Sequence, residues 1–221
     1  MVETGRRAYR SPLREEQARA TRRAVVEAAR ELFIEGGYAA TTIDAVADRA
    51  GVSRKTVFTS VGGKALLLKL AFDWALAGDD EPVPIDERPA AQQMLAETDP
   101  ARLLSQWARF QCEVAGRLSG IHAALVAAAD VDPDARALDE ESERNRMGGA
   151  AGFVAKLAEL GGLRPDVDPQ RATQIAATLM DPMPYRRLVR DAGWSMDDYA
   201  AWIEGILRAS VLDPSCEAAE D

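Results

Sequence analysis

Cysteine and histidine are almost missing from this chain. Cys112 and Cys216 lie far apart with no metal or redox spacing, and His122 is the sole histidine. A zinc site of the usual nitrogen and sulfur ligands has almost nothing to draw on, so no metal and no cofactor are expected. A structural disulfide is not expected in a reducing compartment. No apolar run reaches the ~18 residues that a membrane-spanning helix requires. The opening residues, Met1 to Arg10, are polar and basic with no apolar stretch behind them, unlike a secretory signal. These absences together predict a cytoplasmic location with no membrane partner. No segment alternates with period two for long enough to make a strand. No glycine-rich phosphate loop and no nucleophile elbow occurs. A di-iron carboxylate bundle needs two Glu-x-x-His motifs, which one histidine cannot supply. The expectation is that the chain is not an enzyme. A small helical enzyme working with a pair of carboxylates stays open as an alternative, since sequence does not show proximity.

What is present suffices for a real core: 221 residues, 47% of them hydrophobic. Alanine and arginine, both good helix formers, are heavily used. The formal net charge of -9 is unevenly spread. Residues 1–70 hold 13 Lys+Arg and 8 Asp+Glu, net +5, and residues 71–221 hold 14 and 28, net -14. A basic segment is drawn to phosphates, and an acidic body resists binding DNA in a wrong orientation. Chance asymmetry between two halves would give the same numbers, so the charge needs a motif beside it.

Breakers and apolar stripes divide the chain. Residues 1–17 read as a flexible basic arm with Arg6, Arg7, Arg10 and Arg14, and Pro12 as a breaker. Val25, Ala28, Ala29, Leu32 and Phe33 share one helical face, which Gly36-Gly37 ends. Thr41-Thr42 can cap a short second helix, with Asp44 completing a capping box from Thr41. Gly51 stops that helix, Ser53 caps a third through about Ser60, and Lys64 opens a longer one through about Ala77. Asp79 to Pro89 reads as a loop between two parts. Beyond it the pairs Asp99-Pro100, Asp132-Pro133 and Asp168-Pro169 mark helix starts, with Asp as cap and Pro in the first turn. Asp181-Pro-Met-Pro184 forces a break, and Ser195 with Asp198 caps a last amphipathic helix. The predicted fold is all-α. The predicted division is an arm over 1–17, a DNA-binding domain over 18–63, a linking helix over 64–78, a loop-rich connection over 79–98, an effector-binding and dimerisation domain over 99–213, and an acidic tail over 214–221.

Ala47, Gly51 and Val57 stand in the spacing A-x3-G-x5-V. A helix-turn-helix needs these types: a small residue where the second helix crosses, a glycine for the left-handed turn, and an apolar residue that packs the recognition helix. A generic helical hairpin satisfies the same spacing. The wider pattern is more specific. The pieces A-x-x-L-F, G-Y, T-T-I, V-A-x-x-A-G-V-S, T-V-F and G-K-x-x-L-L, all within residues 24–68, closely resemble the DNA-binding domain of the tetracycline-repressor (TetR) family. They cover about a fifth of the chain. The stretch from Pro184 to Val189, with Gly193-Trp194-Ser195 and the last helix, bears a weaker likeness to the family's C-terminal part.

The resemblance implies a three-helix DNA-binding head followed by a larger helical bundle that binds a small apolar molecule and dimerises. It also implies a pseudo-palindromic double-stranded operator bound by a homodimer, and a repressor that the effector releases. A body that binds a protein partner or no ligand is the alternative. Ser53, Arg54, Lys55, Thr56 and Thr59 would face the groove, with Arg54 and Lys55 suited to guanine edges or phosphates. Thr42 and Lys64 match positions that hold backbone phosphates. Phe58 stands where the family often has a tyrosine and cannot donate a hydroxyl to phosphate; simple packing is the other reading of it. Arg6, Arg7 and Arg10 would reach DNA from the arm. Trp107, Phe110, His122, Met180, Met183 and Tyr185 are the candidate effector pocket, although core packing accounts for the same aromatic and methionine stripe. Ile175, Leu179, Trp202 and Ile206 are the candidate dimer interface.

Overall fold

Gly37 explains where the first helix ends. The helix α1 spans Pro12–Ala40 but is interrupted at Gly37, whose φ of 80° and ψ of 167° are not helical. Only glycine takes that conformation without strain. Ahead of the break α1 buries Val25, Val26, Ala28, Ala29 and Phe33. After it the chain turns so that Tyr38 stacks on Phe33 with ring centroids 5.6 Å apart. The computed structural model describes residues 12–216. Arg6, Arg7 and Arg10 lie outside the described residues. Residues 12–17 lie in α1 and so are not part of the flexible arm expected over 1–17.

The chain forms two compact units, Met1–Ala71 and Phe72–Asp221. In the first, α2 (Ile43–Ala50) and α3 (Arg54–Ser60) pack on α1 and on each other. Thr42, not Thr41, caps α2: its Oγ1 accepts from Ala45 N at 3.1 Å, while Thr41 Oγ1 donates to Gly37 O. The capping box expected from Thr41 to Asp44 is therefore not made. Gly51, at φ 68°, ends α2, and Ser53 Oγ accepts from Thr56 N to start α3. Val46, Ala47 and Val57 are buried where the helices meet. The unit closes with the opening turns of α4 (Lys64–Ala77).

The division between the units falls inside α4, not in the loop that composition suggests. A helix interior gives no compositional signal. The stretch after Asp79 is itself tied down: Arg88 Nη2 reaches Asp79 Oδ1 at 2.9 Å and Glu81 O at 3.2 Å. It carries a 3-10 turn at Ile85–Glu87 and the short helix α5 (Pro89–Leu95).

The second unit is built round α6 (Pro100–Ala129), which packs against α5, α7 (Pro133–Glu159), α9 (Pro182–Tyr185) and α10 (Met196–Ser210). The helix α8 (Pro169–Leu179) packs on α7 and α10. Asp99, Asp132, Asp168 and Asp181 each cap a helix whose first turn holds proline, and Ser195 with Asp198 forms a full capping box. Each such cap contributes about 1 kcal/mol. Two of the break's prolines sit in α9, which runs into a π-helical turn at Arg186–Asp191. The core holds Trp107, stacked on Phe153 at 4.5 Å, with Leu103, Leu104, Leu157, Ile203 and Leu207 around it. Gly162 allows the end of α7 to meet the start of α6: a Cβ there would lie 2.3 Å from Pro100 Cβ. Among the described residues there is no strand, only an isolated bridge between Leu163 and Leu212.

Candidate nucleic-acid interface

The turn at Gly51 determines which side chains of α3 are outward. Val57 is fully buried against α1 and α2, so the opposite face is exposed: Ser53, Arg54, Lys55, Phe58 and Thr59, with Thr56 half-buried. Ser53 and Thr56 hydroxyls lie 2.8 Å apart, and Thr59 Oγ1 donates to Thr56 O. These bonds are local, and they hold the short helix without covering its outer face. An exposed face of this kind, rich in donors and one helix wide, fits the major groove.

Arg54 is the most constrained member. Its Nη1 donates to Asp44 Oδ2 at 2.6 Å, and its guanidinium carbon lies 5.6 Å from the Phe58 ring centroid. Phe58 is 46% exposed. The packing reading of Phe58 therefore fails: the ring is on the surface, under a cation. Asp44 was legible only as a capping residue, and its role beside Arg54 depends on how α2 crosses α3.

Thr42 is exposed at the start of α2. Its oxygen accepts from the helix, and its hydroxyl keeps a donor suited to a phosphate oxygen. Lys64 Nζ lies 4.2 Å from the Tyr38 ring centroid and 3.4 Å from Ala39 O, so the turn after Gly37 positions this cation. On the same unit Arg49 bridges Glu31 at 2.9 Å and Glu35 at 3.0 Å, fastening the end of α2 to α1. The hydrogen bond from Arg49 holds the Glu35 carboxyl below its ordinary range.

The residues expected to line an effector pocket do not share one environment. Trp107 is 2% exposed in the core of the second unit. Phe110, Met180 and Met183 are half-buried. Tyr185 is buried, edge-on to Tyr199 at 5.2 Å, and its hydroxyl occupies the space beside Gly116. His122 is buried with its Nδ1 unpartnered, and Tyr199, also buried, has an unpartnered hydroxyl. Burial pushes the His122 pKa down, against the Asp181 and Asp139 carboxylates that raise it. Burial likewise raises Asp139 and Tyr199. The Asp181 carboxylate raises both His122 and Tyr199 as well. Sequence reasoning missed Tyr199, Asp139 and Asp181 as polar groups of this unit. Tyr199 reads as one member of an apolar stripe, and nothing local shows that its hydroxyl is left over.

Of the expected interface residues, Ile175, Trp202 and Ile206 are half-exposed, but Leu179 is buried within its own chain. Leu179 therefore leaves the stripe, because its surface is already spent on α8's contact with the core.

A family model described as bacterial regulatory proteins of the tetR family matches residues 25–70. No curated protein is similar to the chain by sequence. Among solved structures, one described as a transcriptional regulator from Saccharomonospora viridis in complex with choline is 18% identical. It superposes with a TM-score of 0.63 over 87% of this chain and 97% of its own. NalD of Pseudomonas aeruginosa, described as the secondary repressor of a multidrug efflux pump, is 19% identical, with a TM-score of 0.65 over 89% and 99%. SmeT in complex with triclosan is 17% identical, with a TM-score of 0.63 over 89% and 94%. Identities this low establish a shared fold, which extends beyond the head to the helical body.

Proposed function

We propose, for a chain whose residues 25–70 belong to the tetR family of bacterial regulatory proteins, that it is a repressor that binds a pseudo-palindromic operator as a homodimer and is released by a small, largely apolar effector. The observation that carries the DNA-binding part is the outward face of α3, with Ser53, Arg54, Lys55 and Thr59 exposed beyond the Gly51 turn. Thr42 and Lys64 contact backbone phosphates in this reading and set the register of the head. The half-exposed Ile175, Trp202 and Ile206 support a four-helix interface made from α8 and α10 of two copies. Half-sites then repeat at about 34–36 Å or somewhat more. Sedimentation as a monomer alone at micromolar concentration contradicts the dimer.

The effector part rests on His122 and Tyr199, whose unpartnered buried polar atoms each cost about 1–3 kcal/mol unless something bonds them. A mainly apolar molecule with one or two polar groups relieves that cost. It acts on DNA binding only by favouring one conformation over another, and α4 is the covalently continuous element shared by the two units. Choline and triclosan, held by two of the neighbours, are reasonable first probes. All four tryptophans lie in the second unit, so an effector should alter their emission. It should also weaken operator binding about 5- to 150-fold over the same concentrations, the range of about 1–3 kcal/mol of coupling. Emission changes with unaltered operator affinity would instead favour a body that serves a protein partner or no regulatory ligand.

A further inference from the structure

Arg54 is held from two sides on an otherwise open helix face. Asp44, on the preceding helix, takes one hydrogen bond through Nη1 at 2.6 Å, and Phe58, one turn on from Arg54, lies beneath the guanidinium at 5.6 Å. The pair does little for the fold. Its side chains are 58% and 63% exposed, and ion pairs so exposed contribute little to stability. Its position is also unfavourable for simple attraction to DNA, since a carboxylate beside the groove-facing helix repels phosphate. What the arrangement does provide is order. An exposed arginine loses considerable side-chain freedom when it docks, and a guanidinium already fixed in direction loses less. With Nη1 on Asp44 and one face on Phe58, the planar fork keeps its Nε–Nη2 edge, which suits the O6 and N7 of guanine. Asp44 also offsets the charge of Arg54, and that weakens contact with any phosphate while leaving directional hydrogen bonds intact. Both effects favour discrimination over bulk affinity.

We infer that Asp44 is a positioning residue for base recognition: with Phe58 it aims Arg54 at a guanine and suppresses sequence-independent binding. The inference rests on the DNA-reading function proposed above. Asp44 touches no base itself and works through Arg54.

The test uses the full chain and a pool of randomised duplexes, with bound DNA sequenced to give base preferences at each position of the enriched site. The wild-type protein should enrich a symmetric site with a guanine preference in each half that Arg54→Ala abolishes. Asp44→Asn should flatten that same preference about threefold or more, within the range of one bidentate contact. It should raise affinity for unselected duplexes and steepen the salt dependence by up to about one charge. Asp44→Glu, which keeps the carboxylate, should restore much of the preference, and Phe58→Leu should flatten it less than Asp44→Asn. In an Arg54→Ala background Asp44→Asn should change no base preference. Thermal melting of the Asp44 variants should stay near wild type, which separates positioning from a fold defect. An unchanged or sharper preference in Asp44→Asn overturns the inference and makes Asp44 a mere competitor for Arg54. A change in base preference at any position caused by Asp44→Asn in the Arg54→Ala background overturns it as well. If the wild-type chain enriches no sequence, the DNA-reading function itself fails and the inference falls with it.

Discussion

The two units differ in net charge and in where their distinctive polar groups sit. Residues 1–71 are net positive and hold their distinctive cations at the surface: Arg54 over an exposed Phe58, Lys64 over the ring of the buried Tyr38, Arg49 across two glutamates. Residues 72–221 are strongly acidic and place theirs inside, with Trp107 on Phe153, Tyr185 on Tyr199, and His122 without a partner for Nδ1. Under the proposed function, the contrast separates two kinds of recognition. A surface that meets a regular polymer needs side chains at fixed offsets from one turn. A buried site for a small molecule needs groups from several helices, and its polar atoms carry an energetic cost until they are bonded.

The contrast is broken most severely from the core of the body. Trp107→Ala should remove about 3–5 kcal/mol from the second unit. The three remaining tryptophans all report on that unit alone, so urea titration of their emission should show the loss. Amide exchange at Val25 to Phe33, in the first unit, should change far less. Equal loss of protection in both units would mean that they unfold as one.

Two glycines sharpen the comparison at a smaller scale. Gly162→Ala places a Cβ against Pro100 and should cost the body about 1–3 kcal/mol through overpacking. Gly51→Ala meets no atom within 4 Å but must hold a φ of 68°, at about 1–2 kcal/mol. The first should appear in tryptophan emission. The second should appear in exchange from α2 and α3 and in weakened DNA binding. Crossed effects would dissolve the distinction between the units.

The smallest effect is a titration. His122 is the only histidine, so an untagged chain gives one imidazole signal by proton NMR. Its midpoint should lie below the ordinary value of 6.5, because burial opposes the charged form. A depressed folded pKa means that the unfolded chain binds the proton first. The contribution of His122 to stability is complete above pH 6.5 and is lost as pH falls through the folded value. Asp139 has the opposite sign: its raised folded pKa gives a contribution complete below pH 3.8 and lost as pH rises through the folded value. Stability measured downward from pH 7 should thus fall first, and His122→Asn should remove that first decline. A midpoint at or above 6.5 would mean that the carboxylates of Asp181 and Asp139 outweigh burial.

The head was legible in the sequence because its chemistry is local. Gly37, Gly51 and Ser53 act where their residue types predict, and Val57 buries the face opposite the exposed one. The Asp-Pro helix starts of the body were legible for the same reason. Leu179 is buried in its own chain, and Phe58 carried two readings, because helical periodicity tells which residues share a face but not what covers it. The division inside α4 and the left-over atoms of His122 and Tyr199 depend on contacts between distant helices, which no local pattern encodes. Asp44 beside Arg54 depends on how α2 crosses its neighbour α3, which is likewise a matter of packing.

The central claim is that α3 reads bases while Lys64 holds the backbone. Operator binding by Arg54→Ala and Lys64→Ala, measured across single-base variants and several salt concentrations, tests it most directly. Arg54→Ala should lose about 1–3 kcal/mol and relax discrimination at one position of each half-site. Lys64→Ala should weaken every sequence about equally and reduce the salt slope by about one. The same loss of discrimination in both variants, or none in either, would contradict the account.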